Sequence, residues 1–143
     1  MKALFLFIVL LSSTSHLVAI EHQQGELKVT VNGAKNNNGK IEVHLFNNKA
    51  QFKNKIPPLL ICKAKIKRLK SECTFKDITY GSYGVFSFHD ENQNGNVDFS
   101  LFGDPQEKLA ISGVDLVTNS DPIFKDSQFL FNSQRGQIFI NLQ

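Results

Sequence analysis

Apolar and polar residues alternate with a period of two through most of this chain, which restricts it to β-strands that bury one face. Leu27, Val29 and Val31 alternate with Lys28 and Thr30, and Ile41, Val43 and Leu45 alternate with Glu42 and His44. Asn36-Asn37-Asn38-Gly39 lies between the two runs. Its Asn-Gly step tolerates the positive backbone angles of a tight reversal, so the runs predict a hairpin. After Pro57-Pro58, the stretch Leu59 to Lys67 places Cys62, Ala64 and Ile66 on one face and Lys63, Lys65 and Lys67 on the other. A row of lysines suits an edge or outer face, where it discourages pairing with another chain. Glu72 to Ile78, Gly81 to His89, Ser127 to Phe131 and Gln137 to Leu142 complete a set of seven strands. No long window has a 3.6-residue period, so the fold class is all-β: an antiparallel β-sandwich of about seven strands, immunoglobulin-like or transthyretin-like. Thirteen Phe and a hydrophobic share of 41% are enough for a core, while the absence of Trp removes the buried indole of antibody domains.

The first nineteen residues read differently. Lys2 precedes the uninterrupted apolar run Ala3 to Leu11, and Ser12-Ser13-Thr14-Ser15 follows it. That order is the layout of a secretory signal peptide. The run is shorter than the roughly 20 residues that span a bilayer. Residues 1–19 are therefore expected to be a signal peptide, with cleavage after Ala19 or after Ser15, and residues 20–143 a single sandwich domain without a transmembrane segment, secreted or periplasmic. In an oxidising compartment the two cysteines, Cys62 and Cys73, are expected to be bonded. The bond would tie neighbouring antiparallel strands and stabilise the fold by about 3 kcal/mol in the chain-entropy model. A net charge of +3 gives no concentrated basic surface, so nucleic acid is not an expected partner.

The chemistry concentrates in His89-Asp90-Glu91-Asn92-Gln93-Asn94-Gly95-Asn96-Val97-Asp98. Counting Asp90 as position 1, oxygen-bearing side chains fall at positions 1, 3, 5, 7 and 9, with Gly95 at 6 and Val97 at 8. Ca²⁺ needs six to eight oxygens, and alternate residues of a tightly wound loop can aim them at one centre while glycine permits the bend. Asp90 and Asp98 would supply charge, Asn92 and Asn94 amide oxygens, and Asn96 its backbone carbonyl. Position 12 of a helix-flanked calcium loop is a bidentate Glu; here it is Leu101 and a strand enters the loop, so this is no EF-hand. Asp104, Glu107 or Asp115, or water, would complete the set. Two loop carboxylates suit a dissociation constant on the order of 10⁻⁴ to 10⁻³ M. The competing reading is an ion-free turn, since Asn and Gly are strong turn formers on their own.

The segment Gly81-Ser82-Tyr83-Gly84 through His89-Asp90-Glu91-Asn92-Gln93-Asn94-Gly95-Asn96-Val97-Asp98, then Phe102-Gly103-Asp104-Pro105-Gln106-Glu107, resembles the uncharacterised secreted proteins of domain-of-unknown-function family 2141. Members show a G-x-Y strand, an H-D-x-N-x-N-G-x-x-D loop and an F-G-x-P-x-E segment. The chain departs from them after Glu107, where Leu109-Ala110-Ile111-Ser112-Gly113 replaces a G-F-S-N run. The resemblance implies an exported β-sandwich of bacteria or similar cells with no established activity. Phe102 is expected to plug the underside of the loop.

No zinc signature, G-x-S-x-G elbow or phosphate-cradling glycine motif occurs in the chain. The leading expectation is a non-enzymatic exported module, rigidified by calcium, whose loops from Asp90 to Asp121 contact an unidentified protein or small-molecule ligand. The alternative is a small hydrolase or isomerase using His89 with Glu107 or Asp104. Carbohydrate binding is weakened by the lack of Trp and by having only Tyr80 and Tyr83 for stacking.

Overall fold

The computed structural model describes residues 23–143; the signal-peptide reading of residues 1–19 lies outside the described residues. Eight strands form: β1 (Gln24–Asn32), β2 (Lys40–Phe46), β3 (Leu60–Ala64), β4 (Lys70–Thr79), β5 (Gly81–Asp90), β6 (Leu109–Ile111), β7 (Phe129–Phe131) and β8 (Arg135–Asn141). A single-turn helix, α1 (Lys49–Phe52), follows β2 and is capped by the Asn48 side chain, which accepts from the Gln51 N–H.

The strands divide into two sheets. One has the order β4-β1-β8; the other has the order β3-β2-β5-β6, with β7 also pairing β5. All pairings are antiparallel except β1 with β8, which run parallel with Val29 opposite Ile138. The alternation read from the sequence fixes which residues turn inward. Val29 on β1, Ile41, Val43 and Leu45 on β2, and Val85 on β5 have no measurable exposure, and Leu27 and Val31 have 1%. Each such side chain contributes about 1.5 to 3 kcal/mol relative to full exposure, an upper figure because the unfolded chain is already partly compact.

Three expectations change. β1 and β2 do not form a hairpin: they belong to different sheets, and residues 33–39 carry the chain across the sandwich. A period-two pattern shows which face is buried and leaves the pairing partner open, so a hairpin and an arch between sheets look alike in sequence. Likewise β3 pairs with β2 and β4 with β1. The Cys62–Cys73 disulfide, with Cα atoms 6.1 Å apart, therefore links the two sheets rather than two neighbours in one. The Lys67–Arg68 region is the corner between them, with Arg68 and Leu69 at φ of 53° and 60° and the Lys67 and Lys70 backbones bonded to each other. Finally, the stretch from Asp90 to Asp121, expected to consist of loops, contains β6, which pairs with Phe86 to Phe88 of β5. Of the lysine row only Lys63 lies on the edge strand β3; Lys65 and Lys67 follow it, toward the corner that leads to β4.

Candidate metal loop at the end of β5

Strand β5 delivers Asp90 to the rim of the sheet, and two neighbouring segments hold it there. The first is the arch of residues 33–39. His89, 2% exposed, accepts from the Lys35 N–H at Nδ1 (3.3 Å) and donates from Nε2 to the Asn38 carbonyl (2.8 Å). Glu91 receives Lys35 Nζ at 3.1 Å and Asn36 Nδ2 at 2.8 Å. Those hydrogen bonds hold its carboxyl below the ordinary value, Asn36 contributing most and Lys35 next. Gly39 is required at the closest approach. Its φ is +68°, and a Cβ there would overlap the Asp90 carbonyl oxygen.

The second segment runs from Asp98 to Glu107. The Phe99 and Pro105 backbones bridge, Gln106 N donates to the Asp98 carbonyl at 2.8 Å, and Ser100 N donates to the Asp104 carbonyl at 2.8 Å. The Ser100 hydroxyl accepts from the Phe102 and Asp104 N–H groups, both at 3.2 Å. This small hairpin turns the chain back so that Glu107 arrives beside the loop. Phe102 is not a plug: it sits at the hairpin tip with 93% of its surface exposed, next to Leu101, because the turn around Ser100 points both side chains outward.

Within the loop the side chains wind the backbone. Asp90, 2% exposed, accepts from the Asn94 N–H at Oδ1 (3.0 Å) and from the Gly95 N–H at Oδ2 (2.9 Å). Asn92 Oδ1 accepts from the Asn94 N–H and Asn94 Oδ1 from the Asn96 N–H, at 3.0 and 2.8 Å. These are side-chain turns of the kind Asn and Asp favour. The loop's carboxamides converge on Asp98, where Asn92 Nδ2 meets Oδ2 at 2.6 Å and Asn94 Nδ2 meets Oδ1 at 2.9 Å. Asn96 donates from Nδ2 to the Asn94 carbonyl at 3.1 Å. Asp90, Asn92, Asn94 and Asp98 are thus joined in one network, and Asn96 is attached to it through Asn94.

Of the three acids considered for the remaining corner, Glu107 is the one that bonds into the loop. It accepts from the Glu91 N–H at 3.1 Å and from the Asp98 N–H at 3.3 Å. Asp115 accepts from Val117 in its own turn, and Asp104 contributes its backbone to the hairpin. Burial pushes the Glu107 carboxyl up; the two backbone N–H groups pull it down, and the charges of Asp98 and Asp90 push it up again, leaving it above its ordinary value. Among the described residues no three His, Cys, Asp or Glu side chains lie close enough together to hold a metal by themselves. A cation here would depend on amide and carbonyl oxygens as well as carboxylates, the donor set Ca²⁺ accepts.

Beneath the loop lies a second acid that sequence reasoning took for a solvent-facing strand residue. Glu42 is 1% exposed. Its Oε2 accepts from His44 Nε2 at 3.0 Å, and its Oε1 has the Lys63 ammonium against it as an ion pair without an aligned hydrogen bond. A Cβ added at Gly95 would lie 3.3 Å from Lys63 Nζ and 3.7 Å from Glu42 Oε1, so the loop seats directly on this pair. The signal for it was present in Phe86 and Phe88, whose alternation puts apolar bulk on the same outer face as Glu42 and His44. Both ring nitrogens of His89, the residue named in the alternative catalytic reading, are engaged by backbone groups, and the ring is buried.

A family model described as "Uncharacterized protein conserved in bacteria (DUF2141)" matches residues 29–138, which takes in both sheets, the loop and the returning Glu107. No curated protein and no solved structure matches the chain.

Proposed function

The chain belongs to the DUF2141 family, and from that premise we propose that it is an exported, non-enzymatic β-sandwich module whose loop from Asp90 to Asp98 takes up calcium. The bound ion would stiffen the end of the sandwich that meets a partner. One observation carries the reading. The buried Asp90 carboxylate winds the loop by accepting from positions 5 and 6, while Asp98 and Glu107 are brought alongside with no basic side chain among the described residues hydrogen-bonded to either. The Asn92 and Asn94 N–H groups that meet Asp98 are its only side-chain donors among the described residues. On calcium uptake those two carboxamides turn, so that oxygen replaces nitrogen at the centre and Asp98 faces the ion. The disulfide agrees with an oxidising compartment. Among the described residues no helix is long and apolar enough to cross a membrane.

Thermal unfolding in EDTA and in 1 mM CaCl₂ tests the proposal. A dissociation constant of about 0.1 mM gives a stabilisation of about 1.4 kcal/mol, roughly 5 °C for a domain of this size. Asp90→Ala abolishes the shift. An unchanged midpoint in the wild-type protein overturns the reading.

A further inference from the structure

The outer face of the five-stranded sheet is covered rather than solvated. Register places Glu42, His44 and Phe46 of β2 and Phe86 and Phe88 of β5 away from the core, yet Phe88 is 1% and Phe46 3% exposed. The segment around α1, the loop after β5 and Ile111 of β6 close over this face and leave a cavity of about 530 Å³. His44, Phe86 and Phe88 form its floor, and Phe52, Val97 and Phe99 stand among its walls. Small-molecule sites are typically ~300 to 1,000 Å³, mostly apolar, with a few fixed polar groups. A hollow of about 690 Å³ beside Lys76 to Tyr83 is more open to solvent.

The floor is ordered. The Phe86 and Phe88 rings stack with centroids 5.7 Å apart, and the His44 ring stands edge-on to both, at 5.9 and 5.7 Å. Phe46, Phe52 and Phe124 form a second group with centroids 5.5 to 6.2 Å apart. His44 is fixed from behind by Glu42. Burial pushes the Glu42 carboxyl up, but Lys63 and His44 together outweigh this and hold it below its ordinary value. The hydrogen on His44 Nε2 lies toward the Glu42 carboxylate, which leaves Nδ1 as the ring nitrogen for a partner in the cavity. Nδ1 has no hydrogen-bond partner among the described residues, and His44 lines the cavity. The remaining polar lining, Gln51, Asn54 and Asn96, is uncharged, and Glu42 and Lys63 offset each other.

We propose that this cavity binds a small, uncharged, planar aromatic molecule bearing one N–H or O–H group, its ring against Phe86 and its hydrogen given to His44 Nδ1. The site does not require calcium, so the titration below is run in EDTA and its outcome is separate from that of the metal proposal.

Indole and 1-methylindole, the same ring system with and without the N–H, are suitable probes, and the protein has no Trp to mask their fluorescence. Indole is expected to bind saturably and to shift the NMR signals of His44, Phe86, Phe88 and Val97. It should displace the His44 Nδ1 ¹⁵N resonance, which 1-methylindole leaves in place. 1-Methylindole is expected to bind about tenfold more weakly, since the His44 acceptor is left without its donor, and His44→Phe should equalise the two. The wild-type ¹⁵N measurement stands if that variant does not fold. Absence of saturable indole binding, perturbations mapping elsewhere, or an unmoved Nδ1 resonance overturns the proposal.

Discussion

Glu42 and Glu107 flank the same loop and are held in opposite ways. Both are raised by burial. For Glu42 the protein supplies two side-chain donors, the Lys63 ammonium and the His44 ring, and the carboxyl ends below its ordinary value. For Glu107 the neighbours are two backbone N–H groups and two further carboxylates, Asp98 and Asp90, and the carboxyl ends above it. The comparison shows where charge is balanced inside the chain and where it is left to the solution. One acid is paired inside the chain; the other sits among further carboxylates. This difference makes the loop, and not the pair beneath it, the place for calcium in our proposal.

The contrast can be broken at several points. The largest effect is expected from Asp90→Ala, which strips two part-buried backbone N–H groups of a charged acceptor. At about 1.5 to 3 kcal/mol for a hydrogen bond to a charged group, the loss should be on the order of 3 kcal/mol in a urea titration, partial relaxation of the loop absorbing some of it. A loss under ~0.5 kcal/mol would mean that Asp90 does not organise the loop.

Glu107→Gln should act mainly through charge. In calcium the variant is expected to keep less than half of the wild-type shift of about 1.4 kcal/mol. In EDTA the sign of its pH dependence is set by the raised carboxyl. The folded state holds that proton more tightly than the unfolded chain, so the group opposes folding above its folded value. This penalty is relieved as pH falls toward the ordinary 4.5. Wild type should therefore gain on Glu107→Gln between pH 7 and pH 4.5 in EDTA, and calcium should flatten that slope.

The smallest effect is expected from the half-exposed side of the Glu42 pair. Glu42 stabilises the fold above its ordinary value of 4.5, and that contribution is lost as pH falls through its lower folded value. Lys63→Met should thus lower the melting temperature at pH 7 and converge on wild type in acid, the reverse of the Glu107 pattern. Identical slopes for the two variants would remove the distinction drawn between the acids.

The candidate loop was legible because its bonds are local. Asp90, Asn92 and Asn94 reach backbone groups two to five residues ahead, so spacing alone foretells the winding. Glu107 was named among three possible acids, but its selection required the hairpin from Asp98 to Gln106 to fold back. Phe102 was misplaced because nothing local distinguishes a buried Phe from one at a turn tip. Glu42 and His44 looked like solvent-facing partners of Ile41, Val43 and Leu45, and only the covering of the outer sheet face made them a buried pair.

By itself the sequence determined that this chain forms strands, which side chains of each strand turn inward, and that the segment after His89 winds about its own Asn and Asp oxygens. These follow from steric and hydrogen-bonding preferences that act over a few residues. Only the tertiary structure decided that β1 and β2 lie in different sheets, that Cys62 and Cys73 join those sheets, and that Lys63 meets Glu42 beneath Gly95. Those outcomes depend on which surfaces pack together across long stretches of chain, and a two-residue repeat is equally compatible with several such packings.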